Sequence, residues 1–339
     1  MGAKPDGSVC VFGAIALDRY LDALRQEILG VREAKDIECV HRMRVASRRM
    51  RSALDLFESC LPAKHFPAWE KQVRRMTGAL GAARDTDVQI DLLEKFTREH
   101  AGPREVPGLR RLLLRLRQKR QKLQLKVVDA LDHLEGSQAL DEIQNRIKPI
   151  LTRQDQTYLY SPALYQAGYA AVSPVLDDFL SYEEVIHQAE NDEGLHAMRI
   201  SAKHLRYCLE IYSPLYPGEL KDQIQACRKM QDALGDLHDS DVWIALLPQF
   251  LVRERARTFT YFGNLNGYFR LIPGIECFLE DRKNARQASY EEALRLWEKQ
   301  ADQETWTKLR EQIQMPFFRA EPPQPLDQNG ADNTGETAG

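Results

Sequence analysis

Two rows of basic side chains carry the chemistry legible in this chain. His41-x-x-Arg44-x-x-x-Arg48-x-x-Arg51 recurs as His196-x-x-Arg199-x-x-x-Lys203-x-x-Arg206. On a helix, at about 100° per residue, His41, Arg44, Arg48 and Arg51 fall within an arc of about 80° and span about 15 Å. Residues 41–51 also contain Arg42 and Arg49, and no acid. A solvated helix face usually mixes signs, because like charges at i,i+3 and i,i+4 repel. An unmixed row is tolerated where an anion neutralises it, and the planar guanidinium fork suits phosphate oxygens. The spacing therefore predicts a polyanion site on Arg44, Arg48, Arg51, Arg199, Lys203 and Arg206, with His41, Arg42, Arg49 and His196 beside them.

Further cations flank the rows. Arg74-Arg75 maps onto Arg228-Lys229 at nearly the same sequence offset. Residues 104–126 hold nine cations against Glu105 alone, and Arg111, Arg115 and Lys119 recur at helical spacing. Such segregation, in a chain of net charge −3, predicts a focused groove rather than a diffuse basic surface.

Other chemistries are weaker. Neither His41 nor His196 has a His, Cys or acid at i+3 or i+4, and no two cysteines form a CxxC pair. Neighbouring cations also oppose a divalent metal. No nucleophile elbow, P-loop or carboxylate cage is present, so no catalytic residue, cofactor or metal is expected. The alternative is a metal-dependent phosphohydrolase using His41, His196 and the paired aspartates Asp85, Asp87, Asp239 and Asp241. Few aromatics interleave the basic segments, which argues against single-stranded nucleic acid.

The elements that must position these rows read as helices. Cys39, Met43, Met50, Leu54, Phe57 and Leu61 lie opposite the first row, and Met198, Leu205, Leu209 and Tyr212 opposite the second, so each helix is amphipathic. Periodicity and the placement of Gly and Pro predict helices at 10–29, 37–60, 66–80, 85–99, 106–134, 138–150, 161–180, 183–213, 219–234, 240–257, 264–284 and 289–313. The fold class is all-α. The rows repeat at an offset of 155, and a second block follows each of them. Leu80-Gly81-Ala-Ala-Arg-Asp85-Thr-Asp87 matches Leu234-Gly235-Asp-Leu-His-Asp239-Ser-Asp241. In these blocks the glycines are expected to end one helix and the aspartates to cap the next.

The chain of 339 residues, 43% apolar and 29% charged, is long enough for a sizeable core. No run of about 18 apolar residues spans a membrane, and no secretion signal opens the sequence. No membrane partner is expected. The six cysteines are read as unpaired, which fits a reducing cytoplasm. Residues 320–339 contain acids but no Lys or Arg and read as a disordered acidic tail. The expected organisation is a helical repeat over 10–155, a second over 156–286, a C-terminal helix over 289–313, and that tail. Oligomeric state is not legible.

His41-Arg42-Met-Arg44-x-x-x-Arg48-Arg49-x-Arg51, Leu195-His196-x-x-Arg199-Ile-x-x-Lys203-x-Leu-Arg206-Tyr207 and the two Leu-Gly-x-x-x-Asp-x-Asp blocks resemble the CHAD family, the histidine-bearing α-helical domain. The resemblance covers about residues 10–286. It implies two pseudo-symmetric four-helix bundles with a basic central surface that binds inorganic polyphosphate, and, in some members, location at polyphosphate granules. Some members also carry a triphosphatase-type β-barrel. No room for one is seen here, so a standalone binder is expected. Ala197 and His204 stand where the first row has Arg42 and Arg49, which predicts an asymmetric surface.

Overall fold

The computed structural model describes residues 6–34, 36–153, 160–216 and 218–314, most of them helical and the rest in turns and loops. The helices are α1 (Gly7–Glu33), α2 (Ile37–Leu56), α3 (Phe66–His100), α4 (Val106–Gly136), α5 (Ala139–Leu151), α6 (Pro162–Leu180) and α7 (Glu183–Ile186). They continue with α8 (Asp192–Tyr212), α9 (Lys221–Phe262), α10 (Asn266–Phe269), α11 (Ile272–Asp302) and α12 (Thr305–Gln314). Side chains cap the starts that matter for the rows. Asp36 accepts from Glu38 N at 2.9 Å before α2, and Asn191 from Gly194 N at 2.9 Å before α8. Each satisfies a backbone donor that the first turn leaves orphaned.

Neighbours in sequence pack as neighbours in space: α1 on α2, α2 on α3 and α3 on α4, then α6 on α8, α8 on α9 and α9 on α11. The apolar faces read from the sequence form the core. Met43, Met50, Leu54, Met198, Leu205 and Leu209 are fully buried in one cluster shared by both halves. At the seam, Phe12 of α1 stacks on Tyr212 of α8, with ring centroids 5.7 Å apart.

Several expectations are corrected. The boundary expected at 286 falls inside a helix. Helix α11 runs unbroken through that point, and α12 packs on α6 as α5 packs on α1. Both α5 and α12 follow a residue in the left-handed region, Gln138 at φ 55° and Glu304 at φ 52°. The helix expected over 289–313 is thus the end of α11 plus α12. Helices α3 and α9 run straight through Gly81 and Gly235, merging the expected pairs 66–80 with 85–99 and 219–234 with 240–257. The span 183–213 is broken between α7 and α8. Cys10 and Cys60, read as unpaired, are disulfide-bonded with Cα atoms 5.3 Å apart, because α2 returns antiparallel to α1 and brings its C-terminal turn beside Cys10. The tail expected over 320–339 lies outside the described residues. No helix among the described residues is long and apolar enough to cross a membrane.

The far ends of the α3–α4 and α9–α11 hairpins meet in a second cluster built on Leu93, Phe96, Leu112, Trp243, Phe250 and Phe278. Two glycines allow the closest approach. A Cβ on Gly108 would lie 2.1 Å from the Leu271 carbonyl oxygen, and one on Gly274 would lie 2.0 Å from that of Glu105. No side chain fits at either place.

Candidate functional site

Helices α2 and α8 pack against each other and turn their cationic rows into one cleft. Lys203 of α8 feels Arg48, Arg44 and Arg51 of α2 together with Arg199 of its own helix. Arg44, Arg48 and Arg51 of one row and Arg199 and Lys203 of the other therefore lie within electrostatic reach of one another. Its open part is a cavity of about 590 Å³, lined among others by Arg48, Arg51, Arg74, Lys203, His204 and Tyr207. Among the described residues, Arg48, Arg51, Arg199 and Lys203 have no carboxylate within ion-pair distance. Among the described residues, Arg206 reaches Glu210, at 3.7 Å, and lies over the Tyr207 ring at 5.2 Å.

The Leu-Gly-x-x-x-Asp-x-Asp blocks form the floor. Arg44 lies above Gly81 and Arg199 above Gly235. A Cβ there would sit 3.9 and 3.6 Å from the respective Nε, an ordinary contact. The glycines are seats inside continuous helices, not caps. Asp85, one turn on, pairs with Arg44 at 3.3 Å. Asp239 occupies the matching place beside Arg199, within electrostatic reach of Arg44 and Asp85. Asp87 and Asp241 face the other way. Asp87 is buried against Arg120 of α4 at 2.7 Å, and Asp241 pairs with Arg286 of α11 at 2.5 Å. They lock α3 to α4 and α9 to α11, and none of the four aspartates caps a helix.

The electrostatics of the cleft favour an incoming anion. Burial, then Arg48, Arg199, Arg44 and Arg51, push the Lys203 ammonium down to about 8. Burial and Arg48 also lower Arg44. The Nε atoms of Arg44, Arg51, Arg199 and Arg206 are buried without a hydrogen-bond partner, and a buried unpaired donor costs free energy until an acceptor arrives. The His196 ring lies tilted against that of His238 of α9, with centroids 4.1 Å apart. Burial, His238, Arg199 and Lys203 hold its imidazolium below the ordinary histidine range.

Other expected site residues lie elsewhere. Arg42 is tied to Glu27 of α1 at 2.6 Å and Arg49 to Glu210 of α8 at 3.1 Å. Their replacement by Ala197 and His204 in the second row therefore removes no cation from the cleft. Arg75 pairs with Asp129 of α4 at 2.7 Å. Lys229 lines a separate cavity with Lys299 and Lys308, and Arg228 is exposed on α9. Arg111 and Arg115 reach the buried carboxylate of Glu254, Arg115 at 2.7 Å, and Lys119 is exposed on α4. In each case an acid or a helix face outside the cleft competes for the side chain, which spacing within one helix cannot reveal. His41 lines a smaller cavity of about 270 Å³ between α1 and α2. Among the described residues, no group of three or more His, Cys, Asp or Glu is placed to hold a metal ion. Three residues at the site were not assigned to it from the sequence: His204, Tyr207 and His238. The signal for His238 was its place three residues after Gly235, one helical turn along the same face.

The chain is similar to proteins known by sequence and by structure. Two curated proteins of Mycobacterium tuberculosis, uncharacterized protein MT2285 and uncharacterized protein Rv2226, are each 29% identical to it over 245 residues. The match covers 66% of this chain and 43% of each of them, so this chain corresponds to less than half of their length. Among solved structures, the CHAD domain from the plant Ricinus communis superposes with a TM-score of 0.58 at 22% identity, covering 94% of this chain and 95% of that one. PptA from Streptomyces chartreusis gives a TM-score of 0.58 at 17% identity, covering 87% and 99%. At these identities the structures speak for the fold alone. The CHAD domain family model matches residues 15–248, which contain both cationic rows and both aspartate blocks, and the chain belongs to the CHAD domain family.

Proposed function

We propose that this protein binds inorganic polyphosphate without turning it over, seating the polymer along Arg44, Arg48, Arg51, Arg199, Lys203 and Arg206. The observation that carries the reading is the convergence of two acid-poor cationic rows, from separate halves of the chain, on one open cleft. Orphaned guanidinium donors and a depressed ammonium are groups that phosphate oxygens would satisfy. Family membership supports it. In this reading the protein acts at polyphosphate granules. The test is a titration with long-chain polyphosphate, orthophosphate, triphosphate and single-stranded DNA at two salt concentrations. Long-chain polyphosphate should bind tightest and lose affinity steeply with salt, as neutralised phosphates release counterions. Release of orthophosphate during incubation with Mg²⁺ or Mn²⁺ would instead make the protein a hydrolase.

A further inference from the structure

The two hairpins that meet at the far end of the molecule differ in length. Reciprocal contacts set their register: Asp87 with Arg120 answers Asp241 with Arg286, and Gly108 on the Leu271 carbonyl answers Gly274 on that of Glu105. Between the equivalent points the chain uses 18 residues in the first half, Asp87 to Glu105, and 30 in the second, Asp241 to Leu271. The twelve additional residues extend α9 and add α10, so that the second hairpin projects past the first.

This projection contributes little to the fold. Beyond Phe250, only Glu254 and Thr258 of α9 are buried. Its apolar side chains point into solvent: Val252 is 68% exposed, Phe259 59%, Tyr261 82%, Phe262 62% and Phe269 59%. The Tyr261 and Phe262 rings touch each other, with centroids 4.8 Å apart. Exposed aromatics at this density cost solubility and stabilise nothing within the chain, which marks an interaction surface. The polar residues have one sign. Arg253, Arg255, Arg257 and Arg270 are exposed, whereas the acid among them, Glu254, is buried on Arg115 and Arg257.

The geometry points to this tip as a peripheral docking element for an anionic lipid surface, with the Phe and Tyr side chains entering the headgroup boundary and the arginines meeting lipid phosphates. Three observations select that partner. The surface is the exposed end of the longer hairpin, so it suits insertion into a deformable layer. It combines aromatic rings with a single sign of charge, the composition of interfacial segments. Its charge complements an anionic leaflet. The expectation that no membrane engages the protein rested on the lack of a spanning segment, which does not bear on a tip that only enters the interface.

Sedimentation of the full chain with phosphatidylcholine vesicles, with and without phosphatidylglycerol, tests the proposal. The cationic cleft could also attract such vesicles, so two variants are compared. The Phe259→Ser, Phe262→Ser, Phe269→Ser variant keeps every arginine. The Arg44→Ala, Arg48→Ala, Arg51→Ala variant keeps the tip. Wild type and the cleft variant should sediment with phosphatidylglycerol vesicles, and the tip variant should lose about tenfold or more in partitioning. A Phe262→Trp reporter should shift its emission to the blue on vesicle addition. The proposal is overturned by vesicle binding that survives in the tip variant or disappears in the cleft variant, or by no binding at all. It is also overturned if light scattering finds a dimer that the tip substitutions dissociate, which would assign the surface to a second copy. Polyphosphate affinity of the tip variant, expected to equal wild type, keeps this outcome separate from that of the cleft.

Discussion

Lys203 is the side chain whose chemistry the cleft changes most. Burial and four arginines push its ammonium to about 8 from an ordinary 10.5. Phosphate oxygens reverse both causes, so binding restores the proton. Affinity for polyphosphate should therefore be flat below pH 8 and fall above it, by up to about tenfold per pH unit. Calorimetry above pH 8, in buffers of different ionisation enthalpy, should find proton uptake approaching one per site. Lys203→Gln should abolish the uptake and weaken binding. In the unliganded protein the unfolded chain holds this proton more tightly than the folded one. Stability from this group therefore rises as pH climbs from about 8 toward 10.5, and bound polyphosphate should flatten that rise. His196, lowered by burial and by His238, titrates on the acid side. If it faces the polymer, a second gain in affinity appears below its depressed pKa, and His196→Gln removes it. An unchanged acid limb in that variant, with a lower melting temperature, assigns His196 to packing on His238.

At the scale of elements, the helices that present the rows were legible and the blocks beneath them were not. Met43, Met50, Met198 and Leu205 recur at helical spacing, so the buried faces of α2 and α8, and hence the direction of the cations, follow from periodicity. Gly81 and Asp85 fit a helix stop and restart as well as they fit a seat and a tether, because what distinguishes the two is an arginine from another helix. Non-local contacts hid the Cys10–Cys60 bond and the Glu254 clamp on Arg115 in the same way. The continuous helices make a sharp prediction. Gly81→Ala and Gly235→Ala should each stabilise the fold by about 0.5–1 kcal/mol, since alanine is the better helix former and a methyl there makes only ordinary contact. Left-handed caps would give the opposite sign in a chemical denaturation series. Removing the buried Asp87–Arg120 lock by Arg120→Ala should cost about 3 kcal/mol by the same measurement, because it leaves the Asp87 carboxylate buried without its partner. Reduction of Cys10–Cys60, which closes 50 residues, should lower stability by about 3–4 kcal/mol.

Across the whole molecule, a chain of net charge −3 concentrates its uncompensated cations where its two halves meet. Elsewhere acids take up the arginines: Glu27, Glu210, Asp129 and Glu254 hold Arg42, Arg49, Arg75 and Arg115. Arg48, Arg51, Arg199 and Lys203 stay unpaired among the described residues, while Arg44 keeps Asp85 and Arg206 keeps Glu210, a division that only the assembled fold makes. The central claim is that both rows form one polyphosphate site. It is tested most directly by measuring the salt dependence of long-chain polyphosphate affinity. The comparison is wild type against Arg44→Ala, Arg48→Ala, Arg51→Ala and against Arg199→Ala, Lys203→Ala, Arg206→Ala. Each triple variant should weaken binding and flatten the slope of log affinity against log salt, since fewer counterions are displaced, while the circular dichroism spectrum stays that of the native helices. Unchanged affinity and slope in either variant, with that spectrum intact, would contradict the account.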